Sequence, residues 1–153
     1  MSSEPILVLT TGGTIDKAYF DALSEYQISD SVIAALLTEA RVAAPFRVVE
    51  LMRKDSLELT DEDRALIAAT AATAPETRIV ITHGTDTMTD TARSLAGAIT
   101  DIAGKTVVLT GALAPARFAL SDAAFNLGMA FATAQVAAPG VWIAMSGDRK
   151  SVV

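Results

Sequence analysis

Cysteine is absent from the 153 residues. Disulfide staples, thiol nucleophiles and thiolate metal sites are therefore excluded, and the fold has to be held by its core. Histidine occurs once, at His83, too rarely for metal-ligand spacing or a repeated acid-base pair, and it is read as structural. Long apolar runs are also missing. Hydrophobic residues make up 51% of the chain, yet Thr, Arg, Asp or Gly breaks each stretch within a few positions, which excludes a membrane span, and the same apolar content excludes disorder. Basic charge is in deficit, 12 Lys and Arg against 18 Asp and Glu for a net charge of −6. No Lys/Arg cluster could neutralise a run of phosphates, so nucleic acid is not an expected partner. The opening Met1-Ser2-Ser3-Glu4-Pro5 lacks a basic region, an apolar core and a cleavage site, giving a cytoplasmic expectation. The length suits one domain, 1–153, in which folding hides roughly 68–70% of the unfolded surface.

What is present alternates. Ile6–Thr10, Phe46–Met52, Arg78–Thr82, Thr106–Thr110 and Val141–Met145 are short apolar runs of the kind buried on both faces in a parallel sheet. Between them lie helical segments. One opens at Asp30-Ser31 before Val32–Leu37, one at Thr60 with Asp63 in capping-box spacing, one runs from Thr85 to Ile99, and one is alanine-rich from Ser121-Asp122 to about Gln135. Residues 12–30 and Arg53–Leu59 read as loops. Strands alternating with helices predict βαβ units and a three-layer α/β fold, a mostly parallel sheet with helices on both faces. In such sheets ligands bind beyond the carboxyl ends of the strands. The polar and glycine-bearing segments Gly12-Gly13-Thr14, Asp55-Ser56, Gly84-Thr85-Asp86 and Gly111-Ala112 all follow strand ends, so they are expected to converge on one edge.

Two of these segments carry chemistry. In Thr10-Thr11-Gly12-Gly13-Thr14-Ile15-Asp16, two glycines let the chain turn sharply after a strand and present the Thr14 hydroxyl. On spacing alone the preferred reading is an ordinary turn, with the hydroxyl bonded to its own backbone. It is not a phosphate loop, because neither G-x-G-x-x-G nor a Gly-Lys-Ser/Thr ending occurs. Thr82-His83-Gly84-Thr85-Asp86-Thr87-Met88 sets a hydroxyl beside a carboxylate at a helix start, where free N–H groups suit an anion. Simple capping of that helix by Thr85 or Asp86 is the alternative.

Taken in order, TTGGTID and THGTDTM resemble the two signature motifs of the bacterial-type L-asparaginases. The resemblance continues through Asp55-Ser56, Thr110–Pro115, Ser121-Asp122 and Phe125-Asn126-Leu127, essentially the whole chain, and matches that family's N-terminal domain, a Rossmann- or flavodoxin-like unit. Ordinary members carry a second domain that contributes to a neighbouring subunit's site; this sequence resembles the short, single-domain members. The resemblance implies hydrolysis of L-asparagine to L-aspartate and ammonia, with glutamine a weaker alternative, no cofactor, no metal, and a homo-oligomer. It implies Thr14 as nucleophile, Tyr26 as the lid tyrosine with Tyr19 as rival, and Thr85 as second catalytic threonine. Asp86 would join the catalytic group and hold the substrate's α-ammonium. Ser56 would bind the α-carboxylate, with Asp55, Gly13 and Gly84 counted as substrate-binding.

The chemistry is consistent with those roles. A primary amide is a poor electrophile, so its hydrolysis gains from a covalent ester and from N–H donors, here around Gly84 and Thr85, aimed at the developing oxyanion. Three departures stand out. The family places a catalytic lysine after the fifth strand, in a longer Asn-Gly-Arg segment; here the chain reads Ser146-Gly147-Asp148-Arg149-Lys150-Ser151-Val152-Val153, with Lys150 the one candidate and a mobile, solvated tail the competing expectation. Leu57 and Ala114 replace side chains that are usually polar and basic. The second reading is therefore an asparaginase-fold protein that binds a small amino acid with little or no turnover.

Overall fold

The computed structural model describes residues 4–16, 32–98 and 102–152. Their elements run β1 (Ile6–Gly12), α1 (Val32–Glu39), β2 (Phe46–Lys54), α2 (Asp61–Thr73), β3 (Arg78–Thr82), α3 (Met88–Gly97), β4 (Thr106–Thr110), α4 (Ala123–Val136), β5 (Gly140–Met145) and β6 (Asp148–Val152), with short 3-10 turns at Thr14–Asp16 and Ser56–Glu58. One sheet holds all six strands in the order β2-β1-β3-β4-β5-β6, parallel except for β6.

Period-two alternation sorts the strand side chains between two cores. Ile6, Val8, Val80 and Val108 pack under α1 and α4 with Ile33, Leu37, Leu127 and Phe131. Leu7, Leu9, Ile79, Ile81, Val107 and Leu109 pack under α2 and α3 with Ile67, Ala71, Ala92 and Leu95. The central strands are thus apolar on both faces, as their continuous hydrophobic runs predicted, and the three-layer α/β architecture is present. No helix among the described residues is long and apolar enough to cross a membrane.

The capping box is present in full: Asp63 N–H donates to Thr60 Oγ1 at 3.1 Å and Thr60 N–H to Asp63 Oδ2 at 3.0 Å. Lys54 Nζ reaches the same carboxylate at 2.8 Å. That bond, then the Thr60 N–H, holds the Asp63 carboxyl below its ordinary value. The Asp30-Ser31 cap expected for α1 lies outside the described residues.

Three boundaries differ from expectation. β2 runs on to Lys54, paired with Gly12 across a register shift, so Arg53 and Lys54 are strand rather than loop. α3 begins at Met88, three residues late, because Thr85-Asp86 remains in a turn and the cap position is Thr87. The tail is also ordered. Ser146 (φ 54°) and Gly147 (φ 80°) form a two-residue turn of the primed type, and Asp148–Val152 returns along β5 from Met145↔Asp148 to Val141↔Val152.

Candidate active site

The order β2-β1-β3 contains a switch point: the chain leaves β1 for β2 on one side and returns to β3 on the other, so the loops after β1 and β3 diverge above the sheet and leave a crevice. Both threonine motifs sit there. Beyond the last ladder pair, Thr10↔Thr82, Thr11 Oγ1 donates to Thr82 O at 2.7 Å and stitches the two strand ends together. Gly13 follows at φ 84°, its N–H donating to Lys54 O at 3.1 Å, while Asp16 N–H closes onto Gly13 O at 3.2 Å to form the turn bearing Thr14.

Gly13 lies directly on Gly84. A Cβ added at Gly13 would come within 2.5 Å of Gly84 N, and one at Gly84 within 2.7 Å of Ser56 Cβ. Those distances admit only hydrogen at both positions, so the loops after β1, β2 and β3 stack backbone against backbone and side chain. Thr87 Oγ1 adds a bond to Ser56 O at 2.7 Å, pinning the β2 loop to the start of α3. Thr87 therefore makes no side-chain cap, and Thr85 and Asp86 precede the cap position instead of filling it.

The result is a cleft of about 320 Å³. Gly13, Thr14, Asp55, Ser56, Gly84, Thr85 and Asp86 line it together with Leu57 and Glu58. Seven of these nine were expected on the sequence; Glu58 was not, and Leu57 had been noted only as a departure. Hydroxyls come from Thr14, Ser56 and Thr85 and carboxylates from Asp55, Glu58 and Asp86, while no described lining residue is basic. Such a set suits a small solute carrying an ammonium group. Leu57, 76% exposed, presents an apolar side chain at the rim. Among the described residues no group of three or more His, Asp or Glu is placed to hold a metal ion.

His83 is fully buried beneath the β3 loop, with Nδ1 2.6 Å from Gly84 O and Nε2 2.7 Å from Thr91 Oγ1. Burial, opposed by the Gly84 bond, lowers its pKa below the ordinary value. On the next strand, Asn126 ties Gly111 O (2.9 Å) and Ser146 N (2.9 Å) to α4. Asp122 accepts from Leu113 N and Ala114 N. Against the upward push of burial, those N–H groups hold its carboxyl below the ordinary value. Of the two residues read as helix caps, Ser121 Oγ accepts from Ala123 N and donates to Ala114 O, whereas the Asp122 side chain makes no cap bond and braces the loop after β4 instead. Thr11, Thr87 and Asn126 were missed, because their partners are remote in sequence.

Lys150 is not brought to the cleft. It stands on β6 opposite Ile143, largely exposed, with Nζ 3.3 Å from Asp148 Oδ2. The antiparallel turn at Ser146-Gly147 carries it back from the carboxyl edge, and β4 and β5 intervene between β6 and β3. The expectation that it could fold over the edge to Thr85 and Asp86 is corrected by this hairpin. Tyr26 and its rival Tyr19 lie outside the described residues.

Comparison with known proteins agrees with this architecture. Residues 5–151 match the family described as Asparaginase, N-terminal. An L-asparaginase of Thermococcus kodakarensis is 34% identical over 97% of this chain and 47% of its own length. The structure of L-asparaginase I from Vibrio cholerae superimposes with a TM-score of 0.81 at 26% identity, covering 98% of this chain and 47% of that one. That of a probable cytoplasmic L-asparaginase from Campylobacter jejuni gives 0.79 at 31% identity, covering 99% and 48%. The chain spans about half the length of the relatives it matches. With its cleft at the β1/β3 switch point and the family match running from residue 5 to residue 151, the chain belongs to the asparaginase family, as its N-terminal domain.

Proposed function

We propose that this chain hydrolyses L-asparagine to L-aspartate and ammonia through an ester on Thr14. The observation that carries the reading is the shared cleft of Thr14, Ser56, Thr85 and Asp86. The Thr14 hydroxyl oxygen attacks the side-chain amide carbonyl, its proton passes to the departing nitrogen, and ammonia leaves. Water then attacks the aspartyl ester, regenerating the hydroxyl and freeing aspartate. Asp86 offers the α-ammonium an acceptor and Ser56 offers the α-carboxylate a donor. Backbone N–H groups at the β3 loop face the oxyanion, where one good donor is worth ~3 kcal/mol of barrier. Tyr26 belongs to the proposal as the closing tyrosine. A homo-oligomer in the cytoplasm is part of the same reading.

A second reading, binding with little turnover, is favoured by one observation: no described residue lining the cleft is basic, and Lys150 is ion-paired on the edge strand. Ammonia release from L-asparagine and L-glutamine by the purified chain, in chelator, separates the two. Steady release, faster from asparagine, supports the hydrolase. Saturable asparagine binding without release supports the binding protein.

A further inference from the structure

We infer that His83 is a positioning residue, a buried histidine fixed in one tautomer whose bond to the Gly84 carbonyl turns the Thr85 N–H into the cleft as an oxyanion donor. The inference rests on the hydrolase reading for its catalytic consequence.

The tautomer follows from the partners. Gly84 O can only accept, so Nδ1, 2.6 Å away, carries the hydrogen. Nε2 is then the lone-pair nitrogen, and the Thr91 hydroxyl 2.7 Å away donates to it. Arg64 Nε, 3.2 Å from the same hydroxyl oxygen, donates to Thr91 and directs its hydrogen toward the ring. A continuous chain thus runs from Arg64 on α2, through Thr91 on α3, to His83 and the Gly84 carbonyl. His83, Gly84 and Thr91 are all buried. The histidine backbone is locked as well: its N–H donates to Thr110 O at 2.9 Å, and Gly111 packs against its carbonyl so closely that a Cβ there would meet the oxygen at 2.3 Å.

The orientation of the next peptide follows from planarity. No peptide bond among the described residues is cis, and in a trans peptide the C=O and N–H point in opposite directions. With the Gly84 carbonyl held inward by a buried ring, the N–H of that same peptide, belonging to Thr85, points outward, where Gly84 and Thr85 line the cleft. Among the described residues this N–H meets no acceptor. A peptide between Gly84 and an exposed threonine would otherwise be free to rotate. A donor aimed before substrate arrives needs no reorganisation during the reaction.

The test separates the two ring nitrogens. Asn places an amide N–H near the position of Nδ1, and Gln places its amide near Nε2. His83→Asn keeps the bond to Gly84 O; His83→Gln keeps only the contact with Thr91. Expected for L-asparagine hydrolysis is an approximately tenfold loss of kcat in His83→Gln, with KM within about twofold, and recovery of most of that loss in His83→Asn. Equal losses in the two variants, or a loss confined to KM, overturn the inference. The Thr85 amide resonance, read in 1H–15N spectra without substrate, judges the orientation independently of turnover. A larger displacement in His83→Gln than in His83→Asn supports the inference even if the parent chain releases no ammonia, which would sink the hydrolase reading alone. Equal displacement overturns it.

Discussion

The cleft and the β5–β6 hairpin lie at the same end of one sheet and are built on opposite principles. At the cleft, three loops meet backbone to backbone through Gly13 and Gly84, with Ser56 buried against them and no room for a methyl group. At the hairpin, four of the five β6 residues are exposed, and the strand is held by its ladder to β5 and by Arg149 lying over the Trp142 ring at 5.6 Å. Close packing is concentrated where Thr14 and Thr85 are presented, whereas the exposed edge strand is expected to tolerate change. The proposed chemistry therefore lies at the switch point, while the hairpin covers the edge of β5.

The most damaging way to break this contrast is to put a side chain at the loop junction. Gly13→Val should abolish ammonia release, because its Cβ would lie 2.5 Å from Gly84 N and its φ of 84° suits glycine. Strain of that kind costs about 1–3 kcal/mol, so the thermal midpoint should fall as well. A Gly13→Val protein with parental kinetics would show that the stacking is incidental.

Next in size, Thr14→Ala and Thr85→Val should each reduce kcat by at least ~100-fold with circular dichroism unchanged, since the proposed mechanism gives each a covalent or proton-transfer role. Asp86→Ala should act mainly on KM, through a lost charge-assisted bond of roughly 1.5–3 kcal/mol. A pure kcat effect would reassign it.

How much of this was legible in the sequence depends on how local the signal was. Five apolar runs and the Thr60–Asp63 box carry their cause within a few residues and are found where expected, β2 running on to Lys54; of the two glycine-threonine segments, Thr85-Asp86 stays in a turn instead of opening α3. The convergence of the loops after β1, β2 and β3 followed from parallel topology, because strand ends in such a sheet share an edge; Gly111, expected with them, packs against the His83 carbonyl instead of lining the cleft. Thr11 to Thr82, Thr87 to Ser56 and Asn126 to Ser146 were illegible, being contacts between distant positions fixed only when the sheet forms. The tail was misread for a different reason. Ser146-Gly147 between Val141–Met145 and Asp148–Val152 is a two-residue hairpin signal, but few apolar anchors beyond it suggested a frayed end. β6 is held instead by its ladder to β5, by Arg149 over the Trp142 ring and by Val152 against the core.

Smaller effects sharpen the comparison. Because burial lowers the His83 pKa, the folded chain takes up a proton at lower pH than the unfolded chain. Its contribution to stability is therefore complete above the ordinary histidine value of about 6.5 and declines as the pH falls below it. Urea unfolding of the parent and His83→Asn should converge in stability between about pH 7 and pH 5; a constant difference would mean that His83 titrates alike in the folded and unfolded chains, against the lowering that burial imposes. Smallest of all, Lys150→Met should leave kcat and KM within about twofold and change stability by less than ~0.5 kcal/mol, as expected for an exposed ion pair on an edge strand. A steep loss of turnover would return the lysine to the mechanism.

The central claim, that the Thr14 hydroxyl is the nucleophile of this cleft, is tested most directly by trapping its ester. The chain is mixed with L-asparagine, quenched in acid within the first turnovers, digested and mapped by mass spectrometry, with Thr14→Ala treated in parallel. An aspartyl group on the peptide containing Thr14, absent from Thr14→Ala and removed by mild base, is the predicted result. An aspartyl group on Thr85 instead, or steady ammonia release by Thr14→Ala at the parental rate, would contradict it.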